Sequence, residues 1–173
     1  MFTHRDQSLW PDPAAFSPDG YIISQEHTAG VPYGAHSSDY NGCGWIAAYN
    51  LLRALGRPAK PLAAAKSLSA SSPFHGSIGT GPFRLERWLR RRGLPLRTAR
   101  KRPDILRLAG KSRAGILFYI DGKEPHYVAY INQGGGVLRF LNAVDGAAMD
   151  TLSMAAFLDS RAALPVYYLM AVV

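Results

Sequence analysis

The chain of 173 residues has the length of one domain, which commonly runs to about 100–200 residues. Hydrophobic residues make up 47% of it and charged residues 18%, which excludes a disordered or low-complexity protein. The longest apolar run, Leu164 to Val173, has ten residues, whereas a membrane-spanning helix needs ~20. The N-terminus lacks a basic segment followed by an apolar one. We therefore expect a cytoplasmic protein without a membrane span or a secretory signal.

The net charge of +8 is unevenly distributed. Between Arg84 and Arg113 there are twelve basic residues against Glu86 and Asp104 only. Such a run is most often the solvated face of a helix followed by a loop. The functional alternative is a surface that binds an acidic partner, and nucleic acid is not expected.

The first part of the chain, residues 1–39, is rich in Gly, Pro, Ser and Asp and predicts an extended arm with one short strand at Tyr21 to Ile23. Residues 40–113 have mainly helical patterns. The helix from Cys43 to Leu55 is apolar all round, which is typical of a central helix, and Gly56 and Pro58 mark its end. Further helices are expected at Pro61 to Leu68, from Pro82 to near Gly93, and at Pro103 to Ala109, with a short strand at Leu96 to Thr98.

The last part, residues 114–173, is mainly β. Strands are predicted at Gly115 to Ile120, His126 to Ile131, Val137 to Leu141 and Val166 to Val173, with one short helix at Met154 to Leu158. Helices followed by an antiparallel sheet indicate an α+β fold in a single domain, with the central helix packed on the sheet and the arm wrapped around it.

Cys43 is the only cysteine, and it lies at the start of the central helix between Gly42 and Gly44. The unpaired N–H groups and the positive dipole end of a helix stabilise a thiolate, so this position predicts a lowered pKa and a reactive thiol. The two glycines leave the sulfur unobstructed, and the Cys43 N–H can bind a developing oxyanion. The alternative is a small, buried and inert cysteine.

A thiol nucleophile needs a proton carrier, and His126 is the histidine that opens a strand. If residues 132–136 form the loop of the following hairpin, Ile131 pairs with Val137 and His126 lies opposite Asn142. An Asn side-chain oxygen there would orient the imidazole. Asp145 is the alternative orienter.

A cysteine at a helix start, a histidine on a later strand and an Asn sixteen residues after it resemble the papain-like cysteine peptidases. With its Asn-Gly-Cys-Gly opening and short length, the chain is most similar to the bacterial double-glycine leader peptidases and their stand-alone relatives. The resemblance covers 40–146 and implies a thiol peptidase or amidase with Cys43 as nucleophile, His126 as general acid and base, and Asn142 as orienter.

One position departs from that family, which usually has a Gln about six residues before the cysteine to complete the oxyanion hole. Here that residue is Ser37, and Asn41 is the nearest amide donor, so the sequence predicts an oxyanion site built by Asn41 and Ser37. Losing one donor costs about 10²–10³ in rate. Around the pair we expect the substrate cleft to be lined by the following residues: Tyr40, Gly42, Gly44 and Tyr127.

No cofactor is required by this chemistry, and the Cys and His spacings do not favour a metal site. The expected partner is a peptide or protein substrate. Two alternatives use the same residues: a weakly active or inactive papain-like binding module with a basic surface, and an acyl or peptidyl transferase.

Overall fold

The structure is a computed structural model that describes residues 11–57, 59–76, 78–122, 124–143 and 149–173. Its helices are α1 Ser38–Asn41, α2 Cys43–Ala54, α3 Pro61–Ala70, α4 Pro82–Arg91, α5 Arg102–Lys111 and α6 Met154–Arg161. The strands are β1 Pro32–Tyr33, β2 His36–Ser37, β3 Leu96–Ala99, β4 Ala114–Asp121, β5 Glu124–Gly134, β6 Val137–Leu141, β7 Met149–Leu152 and β8 Leu164–Val172. Short 3₁₀ turns cover Pro13–Ala15, Gln25–Thr28 and Pro73–Gly76.

Six of these strands form one antiparallel sheet in the order β3-β8-β4-β5-β6-β7. Strand β4 is apolar almost throughout, as Gly115–Tyr119 shows. Both faces of such a strand must be covered, since successive side chains point to opposite faces. The sheet is accordingly the middle layer of the fold.

One face of the sheet packs against α2, whose residues Trp45, Ile46 and Leu51 are fully buried. The same core contains Leu68 of α3 and Leu85 of α4. The other face packs against α5 and α6 through residues such as Ile105 and Phe157. The central helix and the C-terminal antiparallel sheet therefore pack together as the sequence predicts.

The N-terminal arm is an integral part of the first core, because Ala15, Ile22 and Val31 are fully buried. Ile22 pairs with Phe16 in an isolated bridge, which leaves its own N–H and C=O pointing away from Phe16. The side chain of Asn50 on α2 bonds both groups: Oδ1 accepts from Ile22 N–H at 2.9 Å, and Nδ2 donates to Ile22 O at 2.7 Å. The Asn50 amide thus makes the two hydrogen bonds to Ile22 that a neighbouring strand would otherwise make.

Two further contacts tie the arm down near Gly20. Arg139 of β6 forms a two-pronged ion pair with Asp19, with the shorter bond 2.7 Å long. Arg53 of α2 donates to the Asp19 carbonyl at 2.8 Å. Gly20 has a φ of +78°, and a Cβ there would lie 2.5 Å from the Arg53 guanidinium, so this turn requires glycine.

The register of β5 and β6 differs from the prediction. Ile131 pairs with Arg139 instead of Val137, because β5 continues to Gly134 and a bulge near Asn132 and Gly134 precedes the turn. The loop predicted at residues 132–136 is therefore wrong, and the turn itself consists of Gly135 and Gly136. The shift is two residues, so it leaves every side chain on its predicted face. Strands β1, β2 and β7 were not predicted, and the strand predicted at Tyr21 to Ile23 is only the isolated bridge of Ile22 with Phe16.

Candidate functional site

Cys43 is the first residue of α2, and its half-buried side chain lines a cleft of about 600 Å³. The sequence predicts a lowered thiol pKa at this position, and the structure contradicts it. Burial raises the pKa of the Cys43 thiol to about 11, because a thiolate is poorly solvated there. Backbone N–H groups of Tyr127, Gly44 and Cys43 oppose the shift only in part. The thiol is therefore protonated at neutral pH.

The two glycines beside Cys43 serve close packing. A Cβ on Gly42 would lie 2.4 Å from the carbonyl oxygen of Ser38, and one on Gly44 would lie 2.9 Å from the Cβ of Thr80. Neither residue lines the cleft, contrary to the prediction. They allow α1 and the Thr80 segment to approach the start of α2.

His126 lines the same cleft as Cys43. It lies on β5 beyond the last paired residues of β5 and β6, Ala129 and Leu141, so its side chain reaches the open end of the sheet. Its Nε2 is 3.0 Å from the backbone carbonyl oxygen of Asn142. The sequence predicts contact with the Asn142 side chain. The observed contact is with the same residue, but through its backbone carbonyl oxygen.

The reason lies in the backbone of Asn142, which has a φ of +61° just after β6 ends. This left-handed conformation is one that Asn tolerates better than most residues. It places the carbonyl at His126, while the side-chain Nδ2 donates to Gln25 Oε1 at 3.2 Å. Asp145, the alternative orienter, lies outside the described residues.

The bond to Asn142 determines which form of the neutral imidazole is present. A carbonyl oxygen only accepts hydrogen bonds, so Nε2 carries the proton and Nδ1 keeps a free lone pair. Burial lowers the pKa of His126, and this outweighs the Asn142 carbonyl and the charges of Asp121 and Glu124, which raise it. At neutral pH the cleft therefore combines a neutral imidazole with a protonated thiol.

The cleft has an acidic lining. Four carboxylates surround it, none of which is among the site residues predicted from the sequence: Glu26, Asp39, Asp121 and Glu124. Glu124 lies two residues before His126 in the sequence, and that proximity could have indicated its place in the cleft. Gln25 also lines the cleft, and nothing in its sequence context, a Gly- and Pro-rich arm, pointed to it.

The predicted oxyanion donors have other partners. Asn41 donates its amide hydrogens to the carbonyls of Tyr33, at 3.2 Å, and Gly76, at 2.7 Å, and it does not line the cleft. The hydroxyl of Ser37 donates to the Asp39 carboxylate. Asn41 thus joins β1 to the 3₁₀ turn Pro73–Gly76. The Cys43 N–H, at the first position of its helix, has no acceptor within that helix.

The two predicted cleft tyrosines differ in position. Tyr40 lines the cleft, with 75% of its surface exposed, and its ring packs against His36 with the centroids 5.0 Å apart. Tyr127 is buried, and its hydroxyl donates to the Thr80 carbonyl at 2.6 Å. Its backbone N–H reaches Cys43, so Tyr127 packs behind that residue.

The basic region from Arg84 to Arg113 is partly neutralised. Arg90 pairs with Glu86 at 2.8 Å, Arg102 pairs with Asp159 at 2.6 Å, and Arg107 pairs with Asp104. Part of the remaining positive charge lies beside β3 and α5. A groove there of about 700 Å³ is lined by Arg97, Arg100, Lys101 and Lys111, together with the Arg107–Asp104 pair.

The described ranges contain neither a membrane-spanning helix nor a metal-binding cluster. None of the helices they form is long and apolar enough to span a bilayer. Between residues 11 and 173, apart from the few positions not described, no group of three or more His, Cys, Asp or Glu side chains is arranged to bind a metal ion.

The structure is similar to the peptidase domain of Streptococcus ComA, a bi-functional ABC transporter involved in a quorum sensing pathway. The match has a TM-score of 0.56 at 15% sequence identity, and it covers 78% of this chain and 93% of the ComA domain. The chain therefore has a papain-like fold. The α+β fold class predicted from the sequence is confirmed. No family model matches the chain, and no curated protein matches its sequence.

Proposed function

We propose that this protein is a cysteine peptidase or amidase in which Cys43 is the nucleophile and His126 is the general base and acid. One observation carries the proposal: His126 shares a cleft with Cys43 while its Nε2 is bonded to a carbonyl that only accepts. This bond keeps Nδ1 available as a base. Asn142 orients His126 through its main chain.

In the proposed reaction, Cys43 Sγ attacks the carbonyl carbon of a peptide bond as its proton passes to His126 Nδ1. The Cys43 N–H binds the resulting oxyanion. The imidazolium then protonates the leaving amine, the C–N bond breaks, and a thioester remains on Cys43. Water attacks the thioester with His126 again accepting a proton, and the carboxylic acid product leaves with the thiol restored.

The starting state imposes a requirement on this mechanism. Because burial favours both neutral forms, proton transfer accompanies attack instead of preceding it. His126 therefore has to be held at a productive angle throughout, and the Asn142 carbonyl, which also stabilises the imidazolium, meets that requirement.

The test is cleavage of a complex mixture of peptides, with new termini identified by mass spectrometry. Wild type is expected to generate new termini, while Cys43→Ala and His126→Ala generate none. His75→Asn changes an exposed histidine outside the cleft and serves as the matched control, with activity unchanged. Equal cleavage by wild type and Cys43→Ala would refute the proposal.

The alternatives give different products in the same assay. An acyl or peptidyl transferase would join the new carboxyl end to an added amine instead of to water. A binding module would retain peptides in the Cys43→Ala variant without cleaving them. If the basic groove beside α5 holds an acidic peptide, that binding falls steeply as salt concentration rises.

A further inference from the structure

Gln25 connects the two sides of the candidate cleft. It opens the 3₁₀ turn Gln25–Thr28 of the arm, and its side chain lines the cleft. Its Nε2 donates to the carbonyl of Asp39 at 3.0 Å, and its Oε1 accepts from Asn142 Nδ2 at 3.2 Å. The Gln25 amide thus bonds one wall of the cleft through its nitrogen and the other wall through its oxygen.

The two walls are those that present the proposed catalytic groups. Asp39 belongs to α1, the helical turn directly before Cys43. Asn142 lies beyond β6 and bonds His126 through its carbonyl. A chain of three hydrogen bonds therefore runs from α1, the turn before the Cys43 helix, through Gln25 and Asn142 to the imidazole.

The conformation of Asn142 connects this chain of hydrogen bonds to the position of the carbonyl that binds His126. Its main chain has a φ of +61°, a region that is uncommon for non-glycine residues, although Asn occupies it more often than most. The direction of its carbonyl depends on that torsion. A restraint on the side chain of Asn142 is therefore also a restraint on the acceptor of His126.

We propose that Gln25 is a positioning residue that aligns His126 with Cys43 by fixing Asn142. This inference rests on the proposed function for its consequence in catalysis, but the alignment itself can be measured without a substrate. It also gives the arm a role in the site, since the amide arrives from a segment anchored by Asn50 and Arg139.

The first measurement is the tautomer of His126, read from the ¹⁵N chemical shifts and couplings of its ring. In wild type, Nε2 is expected to carry the proton. In Gln25→Ala, the Asn142 carbonyl loses its alignment and the Nδ1–H tautomer becomes populated. Gln133→Ala removes an exposed glutamine on β5 and serves as the matched control, with the tautomer unchanged.

The second measurement is the rate of Cys43 alkylation by iodoacetamide at pH 7. Gln25→Ala is expected to lower it by about tenfold, within the 10²-fold effect of misplacing a catalytic group. His126→Ala gives the lowest alkylation rate expected, because it removes the imidazole entirely. Asn142→Gly keeps the left-handed backbone but removes the Gln25 contact. In the double variant with Gln25→Ala, Cys43 alkylation should therefore be no slower than in the slower of the two single variants.

The outcomes separate this inference from the proposed function. An unchanged tautomer in Gln25→Ala, or fully additive effects in the double variant, would overturn the role of Gln25. A changed tautomer with alkylation that is indifferent to both Gln25→Ala and His126→Ala would support the alignment while refuting the catalytic pair. Gln25→Glu adds a further check: it keeps the acceptor for Asn142 and should retain the Nε2–H tautomer.

Discussion

Replacing Asn50 by Ala would test whether the arm is anchored by one buried amide. Asn50 and Ile22 are both fully buried, and the amide supplies the partners of the Ile22 N–H and C=O. Leaving a buried donor or acceptor unpaired costs about 1–3 kcal/mol. Two such groups, with the small cavity that the shorter side chain leaves, predict a loss of about 2–5 kcal/mol in the free energy of unfolding.

The assay is urea denaturation followed by circular dichroism, with the slope of the transition compared between variants. Asn50→Asp is the informative companion, because it keeps the acceptor for the Ile22 N–H but loses the donor to Ile22 O. Protonating the introduced carboxyl restores a donor, so this variant should regain stability relative to wild type as the pH falls.

A second readout follows from the position of the arm at the cleft. Residues 23–26 line it and include Gln25, so release of the arm should slow iodoacetamide alkylation of Cys43 at pH 7, as Gln25→Ala does. A loss below about 1 kcal/mol in Asn50→Ala, the value of a single ordinary hydrogen bond, would refute the anchoring argument. An unchanged m-value is required for the comparison.

The remaining predictions concern pH. Alkylation of Cys43 should rise with pH to a midpoint near 11, because burial raises the thiol pKa to about that value. His126→Ala should slow the reaction at pH 7 and leave it unchanged above the midpoint. A midpoint below ~8.5, the ordinary cysteine value, would instead indicate a preformed thiolate. The pKa of Asp19 is lowered from 3.8 to about 2, mainly by the hydrogen bond from Arg139. Its stabilisation is thus present above pH 3.8 and disappears as the pH falls through 2. Because the Asp19 side chain is nearly half exposed, Asp19→Asn should cost only about 1 kcal/mol at pH 6. The difference from wild type, measured by urea denaturation, should shrink as the pH falls below 3.8 and vanish below pH 2, and a difference that keeps its full size at pH 2 would contradict the assignment.

Much of the fold was readable from local pattern. The helix that begins at Cys43 has an apolar periodicity and a glycine after its end, and its observed range, Cys43–Ala54, differs from the prediction by one residue. Strand Val137–Leu141 has the predicted bounds. These elements depend on side-chain periodicity and on turn residues, both of which act over short stretches of chain.

The register of the hairpin was beyond local pattern. Three consecutive glycines at 134–136 accept several turn geometries, so the bulge near Asn132 and the two-residue turn were not distinguishable from a five-residue loop. Strand β7 pairs with β6 at the edge of the sheet, and its sequence, Met149–Leu152, has a weak alternation that only the neighbouring strand completes.

For the site, the sequence by itself determined which residue types lie at the helix start and the strand start, and hence Cys43 and His126 as the candidate pair. The tertiary structure decided the rest. Burial, which depends on everything packed around a group, reversed the expected direction of the Cys43 pKa shift. A left-handed backbone turned the carbonyl of Asn142, and not its side chain, toward His126. Gln25 reached the cleft only because the arm is anchored on α2 through contacts 28 residues apart in the chain.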